Sequence, residues 1–179
     1  NTTPTTDVVI NSVKIIRKGA DAKAFDAAKV FTEELEKSIG DRERKDKARY
    51  DKYLKDKAAF YASKDVDKAV KTASGLQILT LKKGTGKKVT ETAKTEMDYT
   101  IYVANGKLVQ TTKGNQPLSF VLRDQPMIPG VMEALLQMKV GGKARLFIPY
   151  NLAWGEAARG PFPPKADVVF ELEVLKVGR

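Results

Sequence analysis

The sequence contains no cysteine and no histidine. Without cysteine there is no disulfide, no thiol nucleophile and no thiolate metal site, and the redox compartment is left open. Without histidine there is no imidazole base and no His-ligated zinc. Most hydrolase and metalloenzyme chemistries are thereby excluded, and the residues imply neither a metal nor a cofactor. No apolar run approaches the ~20 residues of a membrane-spanning helix. The polar opening Asn1-Thr2-Thr3-Pro4 says nothing about compartment. Proline is missing from Ala20 to Thr72, and tryptophan occurs once, at Trp154.

What is present is charge. The net charge of +10 raises the question of nucleic acid. Residues 1–73 hold 17 Lys/Arg against 13 Asp/Glu, and residues 74–179 hold 15 against 9, so the excess is spread over both halves. Lys82-Lys83 and Lys87-Lys88 form the one compact basic cluster of the second half. No basic run is interleaved with aromatics as a base-stacking platform would be. A solvated surface, with no specific nucleic-acid partner, is the expectation.

At 179 residues the chain suits one good-sized domain or one domain plus an extension. Residues 7–16, DVVINSVKII, are β-prone and need a partner strand. From Ala20 to about Thr72 the proline-free, Ala/Lys/Glu-rich sequence predicts helix. Phe25, Val30, Phe31, Leu35 and Ile39 give a first apolar face, and Gly40-Asp41 is a plausible break. Asp41 to Lys47 are seven charged residues in succession, which must stand in solvent, supported by pairs such as Glu43–Lys47 and Asp51–Lys55. Tyr50, Tyr53, Leu54, Ala58, Phe60 and Tyr61 restore an apolar stripe. That stripe needs cover, from the first helix folded back as a hairpin, from the rest of the chain, or from a second protomer.

Beyond Ser74-Gly75, expected to end the helix, the period changes to two. Strands are predicted at 76–81, 97–103, 107–111, 118–122, 144–148 and 168–177. Asn105-Gly106 and Val140-Gly141-Gly142-Lys143 are tight turns. Pro129 suits the first turn of a short helix that buries Val131, Leu135 and Met138. Strands wrapping one short helix make an α+β domain with a curved antiparallel sheet, a half-barrel.

The run MIPGVMEALLQMKVGGKARLFIP, from Met127 to Pro149, resembles the central signature of the FKBP-type peptidyl-prolyl cis-trans isomerases. Leu152-Ala153-Trp154-Gly155, Pro163-Pro164 and Val169 to Leu175 continue the pattern in order, so the resemblance covers about residues 74–179. It implies an FKBP domain over 74–179 behind a helical arm at 20–73, a layout similar to the Mip and FkpA branch of the family, where the arm makes a homodimer. An antiparallel hairpin in a monomer is the alternative. Residues 1–19, a strand or arm, resemble the tail of a bacterial cyclophilin, or pair locally or with another copy. The family association favours a bacterial periplasmic or extracytoplasmic setting. The short loop from Trp154 to Pro163 leaves no room for an inserted flap domain.

The family pattern implies site residues as well. Tyr99 takes the place of a pocket tyrosine. Met127 and Ile128 form the rim, with the Ile128 N–H donating to a ligand carbonyl. Phe170 is a wall, Leu118 fills a usually aromatic position, and Phe162 leans over the ligand. Trp154 stands where the family has a carbonyl-binding tyrosine; its indole N–H donates but cannot accept. Three departures stand out. Val109 and Gln110 replace Phe-Asp, removing a charge, and Val131 replaces the tryptophan that floors the proline ring. Each residue also has a plain packing role, Val131 above all. Two functions follow. One is an FKBP-type proline isomerase assisting folding, weakened by these changes, with proline-containing polypeptides as clients and poor macrolide affinity. The other is a non-catalytic chaperone or protein-binding module.

Overall fold

The computed structural model describes residues 19–20 and 26–178. The β-prone run at 7–16 and Phe25 lie outside the described residues, and so does the likeness to a cyclophilin tail. By packing, the chain divides into two compact units, Asn1–Ala48 and Arg49–Arg179.

Helix α1 runs from Ala27 to Ser63 without interruption. The break expected at Gly40-Asp41 does not occur, and among the described residues neither does a helical hairpin. An interior glycine costs only ~1 kcal/mol relative to alanine, and the Lys, Arg, Glu and Asp residues around it keep the helix propagating. No left-handed residue is available at Gly40 to cap an end. The ion pairs also differ from those expected. Lys29 pairs with Glu33, Arg44 with Asp41 and Lys52 with Asp56, all on exposed positions, where each is worth a few tenths of a kcal/mol. In the first unit Val30, Phe31, Leu35 and Ile39 are exposed, Phe31 to 69%.

The helix ends about ten residues earlier than predicted. Asp65 adopts the left-handed conformation (φ 57°), which aspartate tolerates better than most residues. The N–H groups of Lys64 and Asp65 donate to the carbonyls of Tyr61 and Ala62. A 3-10 turn at Val66–Lys68 leads into a two-residue strand, β1 (Val70–Lys71), that the periodicity did not show. Gly75 (φ 96°) serves the β1–β2 turn, not a helix end.

The remaining strands are β2 (Gln77–Lys82), β3 (Thr95–Val103), β4 (Leu108–Thr111), β5 (Leu118–Phe120), β6 (Lys143–Ile148) and β7 (Val168–Val177). They form one antiparallel sheet in the order β1-β2-β6-β7-β3-β4, with β5 also on β3. The α+β half-barrel expectation holds. The register places Met97, Tyr99, Ile101 and Val103 of β3 opposite Val174, Leu172, Phe170 and Val168 of β7, all buried on one face. Against that face lies helix α2 (Pro129–Leu135), which buries Gly130, Val131, Ala134 and Leu135. Pro129 opens it, as its preset φ allows. Gly130 is required by contact: a Cβ there would stand 2.6 Å from Cγ2 of Ile148. Met138 falls beyond the helix and is half-buried.

The opposite face of the sheet is covered as well. Residues 49–63 of α1 belong to the second unit and lie on it, so the aromatic stripe is covered by the sheet domain itself. Tyr61 packs edge-on against Phe147 (centroids 4.9 Å apart) and Phe60 against Tyr102 (5.4 Å). The Tyr53 hydroxyl accepts from the N–H of Asp167 at 3.2 Å, and Lys57 pairs with the Asp167 carboxylate. Lys64 and Arg145 both hold Glu171, at 2.8 and 3.0 Å, while Arg145 also donates to the Lys64 carbonyl. Tyr50 and Leu54 remain exposed.

Candidate active site

Strands β3, β5 and β7, the segment 126–128, helix α2 and the loop after β6 meet on the concave face. Strand β3 presents every second residue, β5 and the segment 126–128 close one side, and the loop after β6 closes the other. Together Met97, Tyr99, Ile101, Leu118, Pro126, Met127, Ile128, Val131, Trp154 and Phe170 line a cavity of about 280 Å³. Of the sequence-derived residues, Tyr99, Ile128, Trp154, Phe170, Leu118, Met127 and Val131 are thus brought together.

Phe162 does not line the cavity. It is buried beneath Trp154, its ring stacked on the indole with centroids 3.8 Å apart and planes at 19°. The loop holding Trp154 is fixed by the Gly155 N–H donating to the Tyr150 carbonyl at 2.8 Å. The indole continues the aromatic wall toward Phe170 (6.5 Å), and Phe170 toward Tyr99 (6.4 Å). Val109 and Gln110 also stay off the lining. Val109 is half-buried against the core at a bulge in the β3–β4 pairing, and Gln110, opposite Ile101, is exposed. Met97, Ile101 and Pro126 are lining residues that the sequence reading missed. The signal for two of them was present, since Met97 and Ile101 flank Tyr99 at two-residue spacing on one strand face.

The polar groups are few. Among the described residues, the Ile128 N–H, the Tyr99 hydroxyl and the Trp154 indole N–H make no hydrogen bond within the protein. Ile128 directly precedes α2 and its carbonyl accepts from Val131 and Met132, so its own N–H faces no helical partner. Burial raises the Tyr99 hydroxyl above its ordinary pKa; like an unshifted tyrosine, it is a neutral donor at physiological pH. Tyr99 is itself held by its backbone N–H, which donates to Thr112 Oγ1 at 2.9 Å. Thr112 in turn donates to Asp98 at 2.8 Å. No group of three His, Cys, Asp or Glu residues that could hold a metal occurs among the described residues. The result is an apolar cup with three donors on its wall and rim, and no nucleophile or charged acid–base pair.

The family model for FKBP-type peptidyl-prolyl cis-trans isomerases matches residues 85–175. The chain belongs to this family. It is 32% identical over 173 residues to the FKBP-type peptidyl-prolyl cis-trans isomerase FkpA of Aeromonas hydrophila, covering 91% of this chain and 64% of that protein. A probable FkpA of Neisseria meningitidis is 36% identical over 109 residues, 60% of this chain and 39% of that protein. The chain therefore spans between about two fifths and two thirds of the length of these relatives. The crystal structure of FkpA from Escherichia coli matches with a TM-score of 0.62 at 28% identity, covering 90% of this chain and 74% of that one. The matched segment of this FKBP contains the whole cavity lining. No helix among the described residues is long and apolar enough to cross a membrane.

Proposed function

We propose that this FKBP catalyses cis-trans isomerisation of Xaa-Pro bonds in polypeptide clients, and that it does so slowly. The observation that carries the reading is the cavity itself: an apolar cup with the free N–H of Ile128 at its rim and that of Trp154 in its wall. Rotation about the imide bond makes and breaks no covalent bond. Its barrier, ~18–20 kcal/mol, comes from amide resonance. A twisted amide has lost that resonance and part of its polarity, so a water-poor pocket favours it over the planar form. Tyr99, Val131 and Phe170 would hold the proline ring, and the N–H groups of Ile128 and Trp154 would bind the flanking carbonyls. Leu118, Met127 and Ile128 would shape the rim, and Phe162 would keep the indole in place. No cofactor is needed.

Slowness follows from the floor and from the changes at Val109 and Gln110, which stay off the lining. Val131 puts a small side chain on the floor where a flat ring would support proline. Gln110, exposed and uncharged, supplies no negative field, and Val109 packs inward. The same changes weaken the site for macrolides. A non-catalytic binding module is the second reading, favoured by the small valine at the cavity floor. An isomerisation assay over a panel of Xaa-Pro peptides, with macrolide titration, separates the two. Measurable turnover that is lost in Trp154→Ala supports catalysis. Saturable proline-peptide binding without turnover gives the module.

The dimer belongs here too. Phe31, Leu35 and Ile39 recur at four-residue spacing, with Val30 beside Phe31, and all four are exposed, which supports pairing of the first unit with a second copy. Light scattering tests this, and a monomer at high concentration rejects it. The likeness to FkpA proteins supports a bacterial extracytoplasmic setting, which fractionation of the native host would check.

A further inference from the structure

A second cavity, of about 350 Å³, lies between β2, β6 and the end of α2, and shares no lining residue with the first. Its floor is apolar: Ile78, Ala134, Met138 and Ala144. Its rim is basic: Lys82, Lys83, Lys139 and Lys143, with no carboxylate among the lining residues. Only Lys143 has an acidic partner, Glu173 at 2.8 Å; the other three rim lysines have none among the described residues.

The fold forces these like charges together. Lys82 ends β2, and the loop after it, carrying Lys83, Lys87 and Lys88, is pinned to the segment 138–142 by three backbone bonds, from Gly86 to Val140, Val140 to Lys87, and Val89 to Met138, at 3.0–3.1 Å. The approach is so close that a Cβ at Gly84 would stand 2.2 Å from the Lys139 carbonyl oxygen, and one at Gly142 would stand 3.2 Å from the Gly84 backbone nitrogen. Clustered unpaired ammonium groups repel one another and cost stability. A lysine rim on pinned backbone over an apolar floor fits a ligand that brings the missing negative charge.

We propose that this groove binds an acidic, extended polypeptide segment, its carboxylates on the lysine rim and an apolar side chain on the floor. This surface is independent of the isomerase cavity and of whether that cavity is catalytic. The adjoining sheet edge fits an extended ligand, because β1 pairs only with Gln77 and Ile78, leaving the outer edge of β2 from Leu79 to Lys82 open among the described residues. A strand can add to such an edge by main-chain bonds. No aromatic and no arginine lines the groove, so it lacks the stacking platform of a single-stranded nucleic-acid site. A second copy is a poor occupant, since the chain carries +10.

The test titrates the full chain with a labelled proline-free peptide alternating Glu and Val, its Gln/Val counterpart, and a single-stranded oligonucleotide. Saturable, salt-sensitive binding of the acidic peptide is expected, with the Gln peptide weaker by about tenfold or more. The double variant Lys83→Glu/Lys139→Glu should lose about tenfold or more in affinity for the acidic peptide. Lys83→Gln/Lys139→Gln should show a smaller loss, with unchanged circular dichroism in both. The reversal Lys45→Glu/Lys55→Glu on α1 makes the same change in net charge and should leave binding intact. Equal losses in the groove and α1 reversals would mean generic charge attraction and overturn the proposal. So would equal affinity for the Gln peptide, or an oligonucleotide that binds more tightly than the peptide and is lost with the groove lysines.

Discussion

Trp154 is the residue on which the first cavity turns. Its ring lies flat on Phe162 and faces Phe170, so truncation removes a wall and a donor while uncovering a buried phenylalanine. Trp154→Ala should cut isomerase turnover by about tenfold or more, the scale of one lost ring contact of 1–2 kcal/mol felt in the transition state. Trp154→Phe keeps the stack without the N–H. If turnover in that variant equals wild type, the indole N–H plays no part and only the wall matters. Restoring the family's residues works in the opposite direction. Val131 lies on the cavity floor, so Val131→Trp with Val109→Phe and Gln110→Asp should raise proline-peptide and macrolide affinity by roughly tenfold, mostly through the floor. A folded triple variant with unchanged affinity would show that the cavity does not receive proline rings. Much of this site was legible because its residues sit at two-residue spacing on strands or beside a proline that fixes a helix start. Phe162 and Gln110 were harder to place. Phe162 is set by a loop whose path depends on the Gly155–Tyr150 bond, and Gln110 by a bulge that sequence alternation does not reveal.

At the scale of elements, strands and their faces were legible, and so was the helix, but not its continuity through Gly40 or its end. Alternation in β3 and β7 reports burial on one side of a sheet, and that burial is what folding enforces. The glycine at position 40 and the charged run after it suggested an interruption, but a single glycine costs too little to break a helix built from good helix formers. The true end is set by Asp65 and by packing of Tyr53, Phe60 and Tyr61 on the sheet, which are tertiary causes. This packing predicts a pH dependence. Burial opposes ionisation of Glu171, but Lys64 and Arg145 outweigh it and hold the carboxyl below its ordinary value of 4.5. The stabilisation is therefore present above that ordinary value and is lost as pH falls below it. Burial, with Asp167 nearby, pushes Tyr53 up from 10 to about 12, and burial raises Tyr61 as well. Their share is present below pH 10 and is lost as pH rises toward 12. Chemical denaturation across pH should show both flanks. Glu171→Gln should be less stable at pH 7 and flatter on the acid side; an unchanged acid flank would mean other carboxylates control it.

At the scale of the whole molecule, the question is which part of the chain the isomerase fold needs. The boundary expected near residue 73 and the packing boundary at Ala48/Arg49 make different predictions for truncation. Residues 49–72 supply Tyr61 against Phe147, Phe60 against Tyr102, the Lys64–Glu171–Arg145 group and strand β1. Removing them uncovers Phe147 and Val169, which are now fully buried, and leaves Glu171 with Arg145 alone from that group. Losing even one large aromatic from such an interface costs about 2–3 kcal/mol, and total stability is only ~5–15 kcal/mol. A chain of residues 49–179 should therefore fold and melt close to the full protein, whereas 73–179 should lose several degrees to tens of degrees in Tm or fail to fold. Tyr61→Ala in the full chain should reproduce part of that loss, by about 2 kcal/mol. The same pair of truncations reads out assembly. If Phe31, Leu35 and Ile39 form the contact between copies, the full chain is a dimer and 49–179 is a folded monomer. A dimeric 49–179 would place the contact on the isomerase unit instead, and a 73–179 fragment as stable as 49–179 would mean that the helix docked on the sheet contributes nothing to holding it.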